Sequence, residues 1–378
     1  MISADILHRI NQRLQQITGV YDQLFGGMNI ILCGDFRQLP PVNATPVFKM
    51  PRNVFAGVVL WQSLNYFPLL RVVRQFDETF SSILTKIGNG ETLTDDENIL
   101  IEGRFRTVEW CNENLPNAVR LYHRNIDVDA YNRTAIVDPV RCVTRDRFFG
   151  YTTVTEKNEC RRKLHKMSVA EYDGLPYMIA LATDYPYMIT INIDVEDGLV
   201  NGAIGVLKYI ETLEDEDCNV DDDEPQPSTS GGSDTIEHIV NIRLKPNILS
   251  RDWTPVNKRT INISLSKTVK CKRQQFPVVS ACAITIHKSQ GGTFDEIVFK
   301  YDSGQQHQLV YVALSRVTTI EGLYMVNDKN DFRFHHRRRG SNAPHMKEIR
   351  TEYQRLEQHR LDTITSRAHL FCTSPDTV

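Results

Sequence analysis

The chain has 378 residues, of which 41% are hydrophobic and 24% are charged, so it is long enough for two or three folded domains. No apolar run approaches the roughly 20 residues that cross a bilayer, and the N-terminus lacks a signal-peptide pattern. The eight cysteines include no CxxC pair, which argues against a zinc site and a disulfide framework. We therefore expect a globular protein without membrane association, in a reducing, intracellular compartment.

The net charge of −3 conceals an uneven distribution of charge along the chain. Residues 211–224 contain nine acidic side chains and no basic one, and the rest of the chain has 44 basic against 38 acidic residues, a net charge of +6. The acidic block continues into a run of proline, serine and glycine that has almost nothing to bury. We predict a disordered surface loop over residues 213–235, inserted in an ordered domain.

The first residues of the chain predict a helix followed by a strand. Ser3–Leu24 has a helical repeat of apolar residues, and Phe25-Gly26-Gly27 ends it. The residues expected to form its buried face are Ile6, Ile10, Leu14 and Ile17. The apolar run Met28–Cys33 then predicts a central strand of a parallel sheet, covered on both faces.

Polar residues follow this strand, at the edge of a parallel sheet where functional groups are often found. Asp35, Arg37 and Gln38 offer charged and amide groups, and Pro40-Pro41 stiffen the exit from the strand. Because glycine, aspartate and proline are also common turn residues, a plain turn that closes the strand explains this segment equally well when it is taken alone.

Between residues 70 and 135 the pattern alternates between strands and helices. Leu70–Gly90 predicts a strand and then a helix, and Val119–Tyr122 predicts a strand that leads into a helix over Asn125–Ala135. The residues expected to face inward from the first of these helices are Phe76, Phe80, Ile83 and Leu84. Such βα alternation favours a parallel, wound sheet.

Short alternating runs replace this pattern from about residue 177 to residue 266, which predicts a small antiparallel barrel or sheet. The wound-sheet pattern returns over Val278–Val326, where an apolar helix precedes Ser315-Arg316 and a strand follows. The simplest organisation is therefore a β-module inserted in an α/β domain.

Two polar segments lie in this returning part, TIHKSQGGTF (Thr285–Phe294) and YVALSRVTT (Tyr311–Thr319). Taken alone, His287 and Lys288 fit a solvated loop, and Arg316 fits a surface or salt-bridged arginine. Together with GDFRQLPPV (Gly34–Val42) and in this order, the segments are specific enough to identify a family.

The chain resembles the PIF-type DNA helicases of superfamily 1B, which are relatives of the RecD-like helicases. GDFRQLPPV resembles helicase motif III, TIHKSQGGTF resembles motif V and YVALSRVTT resembles motif VI. Two further segments similar to the family are VVRQFDETF (Val72–Phe80) and LYHRNIDVDAYN (Leu121–Asn132). The likeness covers roughly residues 1–327, and the tail over residues 344–370 most resembles helicases carried by Helitron-type mobile elements.

The resemblance implies an α/β fold of RecA-like parallel-sheet domains with an inserted, small SH3-like β-barrel. Residues 1–69 would be the C-terminal part of a first, incomplete RecA-like domain, and residues 70–170 with 267–330 would form a second. Residues 171–266 would form the inserted barrel with the acidic loop, and residues 331–378 a basic and helical tail.

The resemblance also implies roles in ATP hydrolysis. Gln38 would sense the γ-phosphate, and Arg74 and Arg316 would be arginine fingers that stabilise charge in the transition state. The implied nucleotide-binding residues are Gly34, Asp35, Gln38, Gln290 and Gly291, of which the last two would couple the nucleotide to the DNA. The implied cofactors are ATP and Mg²⁺, and no side chain is predicted as a metal ligand.

The partners implied by the resemblance are single-stranded DNA and DNA junctions. The implied DNA contacts are Thr285, His287 and Lys288 in motif V, and Asn201 and Gly202 in the barrel. An Asn-Gly turn is equally a plain hairpin, so the last two residues also have a structural explanation. A monomer is expected, in the nucleus or the mitochondrion.

One departure from the family leaves two functions open. The sequence has no Gly-Lys dipeptide, and so no P-loop of the GxxxxGK[ST] type, and it has no Walker B pair after a buried strand. Because the family has an acidic pair directly before a Ser-Met segment, the start Met1-Ile2-Ser3 predicts that the chain begins inside motif II. It is then either the C-terminal part of an ATP-dependent 5′→3′ DNA helicase or a non-catalytic, nucleic-acid-binding remnant.

Overall fold

The chain forms two units in the computed structural model, which describes residues 2–52, 59–69, 72–167, 174–212, 239–246, 253–335 and 344–361. Unit 1 comprises Met1–Pro116 with Thr293–Val378, and unit 2 comprises Asn117–Gly292. The predicted loop over residues 213–235 lies outside the described residues. The finer division into RecA-like domains, a barrel and a tail stays a prediction.

Eight α-helices lie in the described part of the chain. Their bounds are α1 Ala4–Thr18, α2 Glu78–Asn89, α3 Asp95–Glu102, α4 Val108–Asn114, α5 Asn125–Ala135, α6 Val154–Lys166, α7 His307–Leu314 and α8 Pro344–Gln358. Short 3₁₀ turns occur at Leu24–Gly27 and Leu60–Ser63. None of the helices in these described ranges is both long enough and apolar enough to cross a membrane.

The same described ranges contain fourteen β-strands. Their bounds are β1 Val119–Tyr122, β2 Val140–Val143, β3 Arg145–Phe149, β4 Met178–Leu181, β5 Pro186–Ile189, β6 Ile204–Thr212, β7 Ile239–Pro246, β8 Thr254–Val256, β9 Arg259–Ser264, β10 Lys270–Gln275, β11 Val278–Ser280, β12 Ala283–Thr285, β13 Ile297–Lys300 and β14 Leu323–Val326.

Short polar side chains start most of the helices. Each accepts a hydrogen bond from a backbone N–H of the first turn, which has no partner within the helix. The capping residues are Ser3, Asp77, Thr94, Thr107 and Thr153. α1 and α2 end at Gly19 and Gly90, both in the left-handed conformation that glycine adopts without steric cost.

The predicted buried face of the first helix was wrong. Ile6 and Ile17 are 45% and 68% exposed, and the buried positions are Ala4, Leu7 and Asn11. The helix is rotated because the Asn11 side chain points inward, where its Oδ1 accepts a 2.6 Å hydrogen bond from the Phe25 backbone. A buried amide with a backbone partner is stable there, and an apolar repeat alone does not reveal it.

Two strands predicted in the first 80 residues do not form in the part of the chain that the structure describes. Met28–Cys33 forms no helix or strand and pairs with no strand among the described residues, and Ile31 is 88% exposed. The described residues between 72 and 77 form no strand either, and Phe76 is 85% exposed rather than facing inward. An apolar run becomes a strand only where a neighbouring strand supplies its hydrogen bonds.

Unit 1 contains a parallel βαβ arrangement. β13 and β14 pair in parallel, and α7 connects them along the chain. α7 packs against α2, which buries Phe80, Ile83 and Leu84 as predicted. This arrangement confirms the parallel-sheet pattern predicted for the last third of the sequence.

Unit 2 combines parallel and antiparallel pairing. β1 pairs in parallel with β12, and the Asn132 side chain of α5 bonds the backbone of Ser280 and Ala283 beside them. The antiparallel sheets are β11-β5-β6-β7-β8, β3-β10-β9 and β2-β4. The predicted antiparallel region is therefore present, and it extends to strands on both sides of residues 171–266. Its closure as an SH3-like barrel stays a prediction.

A buried ion pair joins two neighbouring strands of one of these sheets. Arg273 on β10 and Asp146 on β3 are directly opposite each other, and two guanidinium nitrogens donate to the carboxylate at 2.6 and 2.8 Å. The Arg273 side chain is completely buried and that of Asp146 is 7% exposed. Removing one member of such a pair leaves the other charge buried without its counterion.

We expect Arg273→Met to lower the free energy of unfolding by about 3–5 kcal/mol, because Asp146 would stay buried without a cation. Urea denaturation measures this loss. The matched control is Lys208→Met, which removes an exposed ion pair with Asp184 and is expected to cost less than about 1 kcal/mol. Equal losses in the two variants would contradict the prediction.

Candidate functional site

The carboxylate of Asp35 connects three segments of unit 1 that are far apart in sequence. Its Oδ1 accepts hydrogen bonds from the Tyr353 hydroxyl and the Arg37 backbone, both at 2.9 Å, and its Oδ2 accepts one at 3.1 Å from the Tyr311 hydroxyl. Tyr353 also accepts a hydrogen bond from the Phe36 backbone. The turn that contains motif III is thus bonded to α7 and to α8.

Tight packing surrounds the same turn. The Arg37 guanidinium lies over the ring of Tyr353, 5.4 Å from its centroid, and Gly88 of α2 faces Arg37 and Tyr311 from the other side. A Cβ on Gly88 would lie 2.9 Å from the Cδ of Arg37 and 3.0 Å from the ring of Tyr311. Only a glycine lets α2 approach the turn this closely.

The electrostatics of the turn favour a charged arginine and neutral tyrosines. Burial acts against the charge of Arg37, but Asp35 and the two tyrosines outweigh it, so the pKa of Arg37 lies above its usual value. Burial, followed by Asp35, raises the pKa of Tyr311 to about 12 and also raises the pKa of Tyr353. Both hydroxyls therefore keep the protons that they donate to Asp35 at any physiological pH.

The structure brings the two predicted arginine fingers together at the C-terminal end of α7. Arg74 donates to the Ser315 carbonyl and to the Thr293 hydroxyl, both at 3.0 Å. Arg316 donates to the Val312 carbonyl at 2.9 Å and to the Ser315 hydroxyl at 3.0 Å. The two guanidinium groups thus share Ser315 as a neighbour.

Gln75 fixes the backbone between these arginines. Its buried amide donates to the carbonyls of Ser315 and Val317, at 3.3 and 2.7 Å. Residue 75 therefore holds the segment before α2 against the end of motif VI. A shift of either segment would leave buried carbonyls without a donor, which is costly.

Burial and mutual repulsion act on the arginine pair. Arg316 is 2% exposed, and burial together with the charge of Arg74 lowers the pKa of Arg316 to about 10. Burial also lowers the pKa of Arg74. Two cations are thus held close to each other in a partly dry environment, which an anion between them would stabilise.

The remaining motif III residues lie at the surface of the same turn. Gln38 is half-buried and its backbone donates to the Asp35 carbonyl at 3.1 Å. Gly34 is exposed, with open space where a Cβ would lie. Unit 1 therefore contains Gly34, Asp35 and Gln38 together with both arginines, whereas Gln290 and Gly291 belong to unit 2.

Motif V forms a bent loop that follows β12 in unit 2. Thr285 is buried at the end of the strand, beside Tyr122 of β1, and its hydroxyl accepts a 3.3 Å hydrogen bond from the Lys288 backbone. The side chains of His287 and Lys288 are exposed. Further along, the Gln290 backbone donates to the His287 carbonyl, and Gly291 has a φ of 85° that favours glycine.

Two histidines meet at this loop. The rings of His287 and His123 lie 6.5 Å apart. Partial burial, followed by the nearby His123, lowers the pKa of His287 below its usual value. His287 is therefore neutral at pH 7, and an added anion would favour its protonation.

Asn201 and Gly202 lie in the connection between β5 and β6 of unit 2. Both are exposed, the Asn201 backbone donates to the Asn192 side chain at 2.9 Å, and Gly202 has a φ of 92°. The geometry is that of a tight, glycine-dependent turn, which is the plain structural explanation considered for this pair. A DNA contact at these residues stays a prediction.

The residues of unit 1 fit one part of the implied nucleotide. Two arginines and an amide suit the terminal phosphate of ATP, whereas the sequence lacks the Gly-Lys dipeptide of a P-loop. In the part of the chain that the structure describes, no three His, Cys, Asp or Glu side chains lie close enough together to hold a metal ion. The side chains of unit 1 described above thus offer the donors that a phosphate group accepts.

Several residues of this site were not found from the sequence. Tyr311, Tyr353 and Gln75 connect segments separated by 240 or more positions in the chain, and such distances leave no local pattern. Gly88 lies within the predicted segment Leu70–Gly90, and nothing in that segment indicated its contact with Arg37. Tyr311 alone had a signal in the sequence, because it is the first residue of motif VI, which also contains Arg316.

Comparison with known families agrees with the order of the motifs. The family model described as PIF1-like helicase matches residues 1–98, and the one described as UvrD-like helicase C-terminal domain matches residues 280–319. The ATP-dependent DNA helicase PIF1 of Danio rerio is 28% identical over 310 residues, covering 80% of this chain and 41% of the relative. The chain is thus similar to PIF1-like helicases over most of its length. The PIF1 of Xenopus laevis is 28% identical over 334 residues, 86% of this chain and 45% of the relative.

The chain spans about half the length of the curated helicases that it matches. Solved PIF1-type structures agree with its fold. The Pif1 helicase of Candida albicans has a TM-score of 0.67 at 22% identity, covering 95% of this chain and 74% of the other. A Bacteroides Pif1 bound to single-stranded DNA has a TM-score of 0.62 at 21% identity, with the same coverage. These likenesses confirm the predicted α/β fold with a parallel sheet.

We expect Arg316→Met to leave the free energy of unfolding unchanged or to raise it, by up to about 4 kcal/mol, when no nucleotide is present. The reason is that the variant removes a buried charge that both its burial and the neighbouring charge of Arg74 disfavour. Urea denaturation measures the difference, with Arg273→Met as the comparison. A loss of about 3 kcal/mol or more would indicate a structural role for Arg316.

Proposed function

We propose that this chain carries the phosphate-sensing and arginine-finger part of an ATP-dependent DNA helicase that moves 5′→3′ along single-stranded DNA. The observation that carries the proposal is the meeting of Arg74 and Arg316 at Ser315, two partly dry cations in one unit with the motif III turn. Such an arrangement is stable when it faces an anion, and phosphoryl transfer gains most of its rate from charge stabilisation of this kind.

ATP would supply the phosphoryl group and the free energy of its hydrolysis, with Mg²⁺ as the expected metal. Arg74 and Arg316 would face the terminal phosphate, and Gln38 would bond to it. The Asp35 hydrogen bonds would transmit a displacement of Gln38 to α7 and α8, because each hydroxyl is tied to the same carboxylate. Nucleotide state would thereby change the packing of unit 1.

Single-stranded DNA is the proposed partner of motif V. Lys288 and His287 are exposed on a loop whose backbone is fixed by Thr285. Roles in repair, recombination, replication or Helitron transposition are all compatible with this activity. The Bacteroides relative, whose structure was determined with single-stranded DNA, supports this choice of partner.

The alternative function is a non-catalytic nucleic-acid-binding protein. It is favoured by one specific observation, which is that the 378 residues contain no Gly-Lys dipeptide. Hydrolysis needs a phosphate cradle with its lysine, a held Mg²⁺ and a group that positions water. The two functions therefore differ in ATP turnover and agree in DNA binding.

We expect no ATP hydrolysis and no unwinding from residues 1–378 alone, with or without DNA, because arginine fingers act on a nucleotide that must first be held. A phosphate-release assay measures the turnover. Arg316→Ala is the matched control, and both proteins should release phosphate only at the rate of the blank. Turnover that Arg316→Ala abolishes would contradict the expectation.

In a protein extended by an N-terminal segment with a P-loop, ATP turnover should appear. There Arg316→Ala should lower it roughly 10³-fold or more, with little effect on nucleotide binding. Unchanged turnover in that variant would refute the arginine-finger role.

We expect the chain to bind single-stranded DNA more tightly as the pH falls from about 7 to about 5.5. Since burial and the nearby His123 hold the pKa of His287 below its usual value, this side chain is neutral at pH 7 and gains its charge as the solution becomes more acidic, and DNA phosphate favours the charged form. Fluorescence anisotropy at constant ionic strength measures the affinity.

His287→Gln should remove most of this pH dependence, whereas Lys288→Gln should weaken binding at every pH and reduce its salt dependence. The affinity of both variants should be compared with that of Lys329→Gln, an exposed lysine outside motif V. If the pH dependence of DNA binding persists in His287→Gln, another titratable group causes it.

A further inference from the structure

The three-stranded sheet β3-β10-β9 of unit 2 has two faces of opposite character. β10 is the central strand and pairs antiparallel with β3 on one side and with β9 on the other. Residues directly opposite each other in an antiparallel sheet have side chains on the same face. The register therefore assigns each side chain to a face without ambiguity.

One face of this sheet is buried, and its charges are neutralised. Cys271 and Ile263 pack against Leu164 of α6 in an apolar cluster. Arg273 lies opposite Asp146 and is bonded to it. This face obeys the usual rule that a charge opposite another charge across two strands has the opposite sign.

The other face is exposed and carries charge of one sign. Its nine positions form three rows, which are Phe149, Lys270 and Ser264; Arg147, Lys272 and Asn262; and Arg145, Gln274 and Thr260. All nine residues are exposed. Four of them are basic and none is acidic. We call these nine residues the basic sheet face.

The central row of the basic sheet face is unfavourable in the free protein. Arg147 and Lys272 lie directly opposite each other, and like charges at such positions destabilise a sheet. An ordinary solvated surface mixes both signs of charge. A bound polyanion would neutralise these cations and so remove the repulsion between them.

The spacing of the cations suits an extended polyanion. Alternate residues of a strand are about 6.6–6.8 Å apart and neighbouring strands about 4.7–4.9 Å apart, so the four basic groups lie within one small, flat area. Phe149 is 53% exposed beside Lys270. An exposed aromatic ring next to cations is the arrangement on which an unstacked base rests.

We propose that the basic sheet face is a second nucleic-acid-binding surface, which takes single-stranded DNA or RNA through its phosphates and stacks a base on Phe149. The surface contains no motif V residue and goes beyond the function proposed above. Phe149 favours a single strand over a duplex, whose bases are stacked inside. It also favours a nucleic acid over an anionic lipid surface, which offers no base.

The test uses the full 378-residue chain with the double variant Arg147→Gln/Lys272→Gln. Its matched control is Arg133→Gln/Arg162→Gln, which removes two exposed arginines of unit 2 outside the sheet. Anisotropy with a labelled single strand is measured from about 50 to 200 mM salt. At about 50 mM salt the face variant should bind roughly tenfold more weakly or worse. Its plot of log binding constant against log salt concentration should be less steep by about 1.4. The control variant should change the affinity and the slope by less.

Two further measurements exclude a merely structural effect. The thermal midpoint of the face variant should be unchanged or raised, because a like-charge pair has been removed. Phe149→Ala should weaken binding to a single strand more than binding to a duplex of equal length. Both results would support the proposal.

Three results would overturn it. One is equal weakening in the face variant and the control, which would indicate a non-specific loss of charge. Another is binding of anionic phospholipid vesicles without binding of a nucleic acid. The third is a face variant with wild-type affinity and salt slope. Since Lys288→Gln tests motif V in the same assay, failure here and failure of the proposed function remain distinguishable.

Discussion

The carboxylate of Asp35 is the interaction on which the candidate site of unit 1 depends. It accepts hydrogen bonds from two tyrosine hydroxyls, of which Tyr353 lies 318 positions away in the chain. Because both hydroxyls are largely buried, each would lose its partner if the carboxylate moved, and a buried hydroxyl without a partner is costly. The turn of motif III, the helix of motif VI and α8 therefore have to occupy their places together.

Two buried arginines illustrate how burial serves different purposes in one chain. Arg273 is bonded to a carboxylate on the neighbouring strand, so its charge stabilises the sheet. Arg316 is equally buried but lies next to another cation, and its pKa is lowered to about 10. A group that is unfavourable in the free protein and favourable beside an anion is typical of a binding site.

Local patterns in the sequence predicted several elements with their correct bounds. β1 and α5 have the predicted ends. The strand predicted over Met28–Cys33 was wrong, because an apolar run forms a strand only beside a partner strand, which the run itself does not specify. The predicted buried face of α1 was also wrong because of a contact outside the segment. Asn11 points inward because its side chain accepts a hydrogen bond from the backbone of Phe25.

The sequence named the motif residues of the candidate site, but not the residues that hold those motifs in place. Arg74 and Arg316 were identified from the resemblance to a family, and the structure adds that both contact Ser315. The contacts made by Gln75 and Tyr353 required the folded chain, because no short segment contains both partners. The basic sheet face was invisible for the same reason, since its four cations come from two strands more than 120 residues apart.

The close approach at Gly88 has a consequence for how this sequence can change over evolutionary time. A Cβ at that position would overlap the middle of the Arg37 side chain and the ring of Tyr311. A related protein with alanine there must have a shorter side chain at the position of Arg37, or a helix displaced from the turn. The two positions should therefore vary together among relatives, although 51 positions separate them in the sequence.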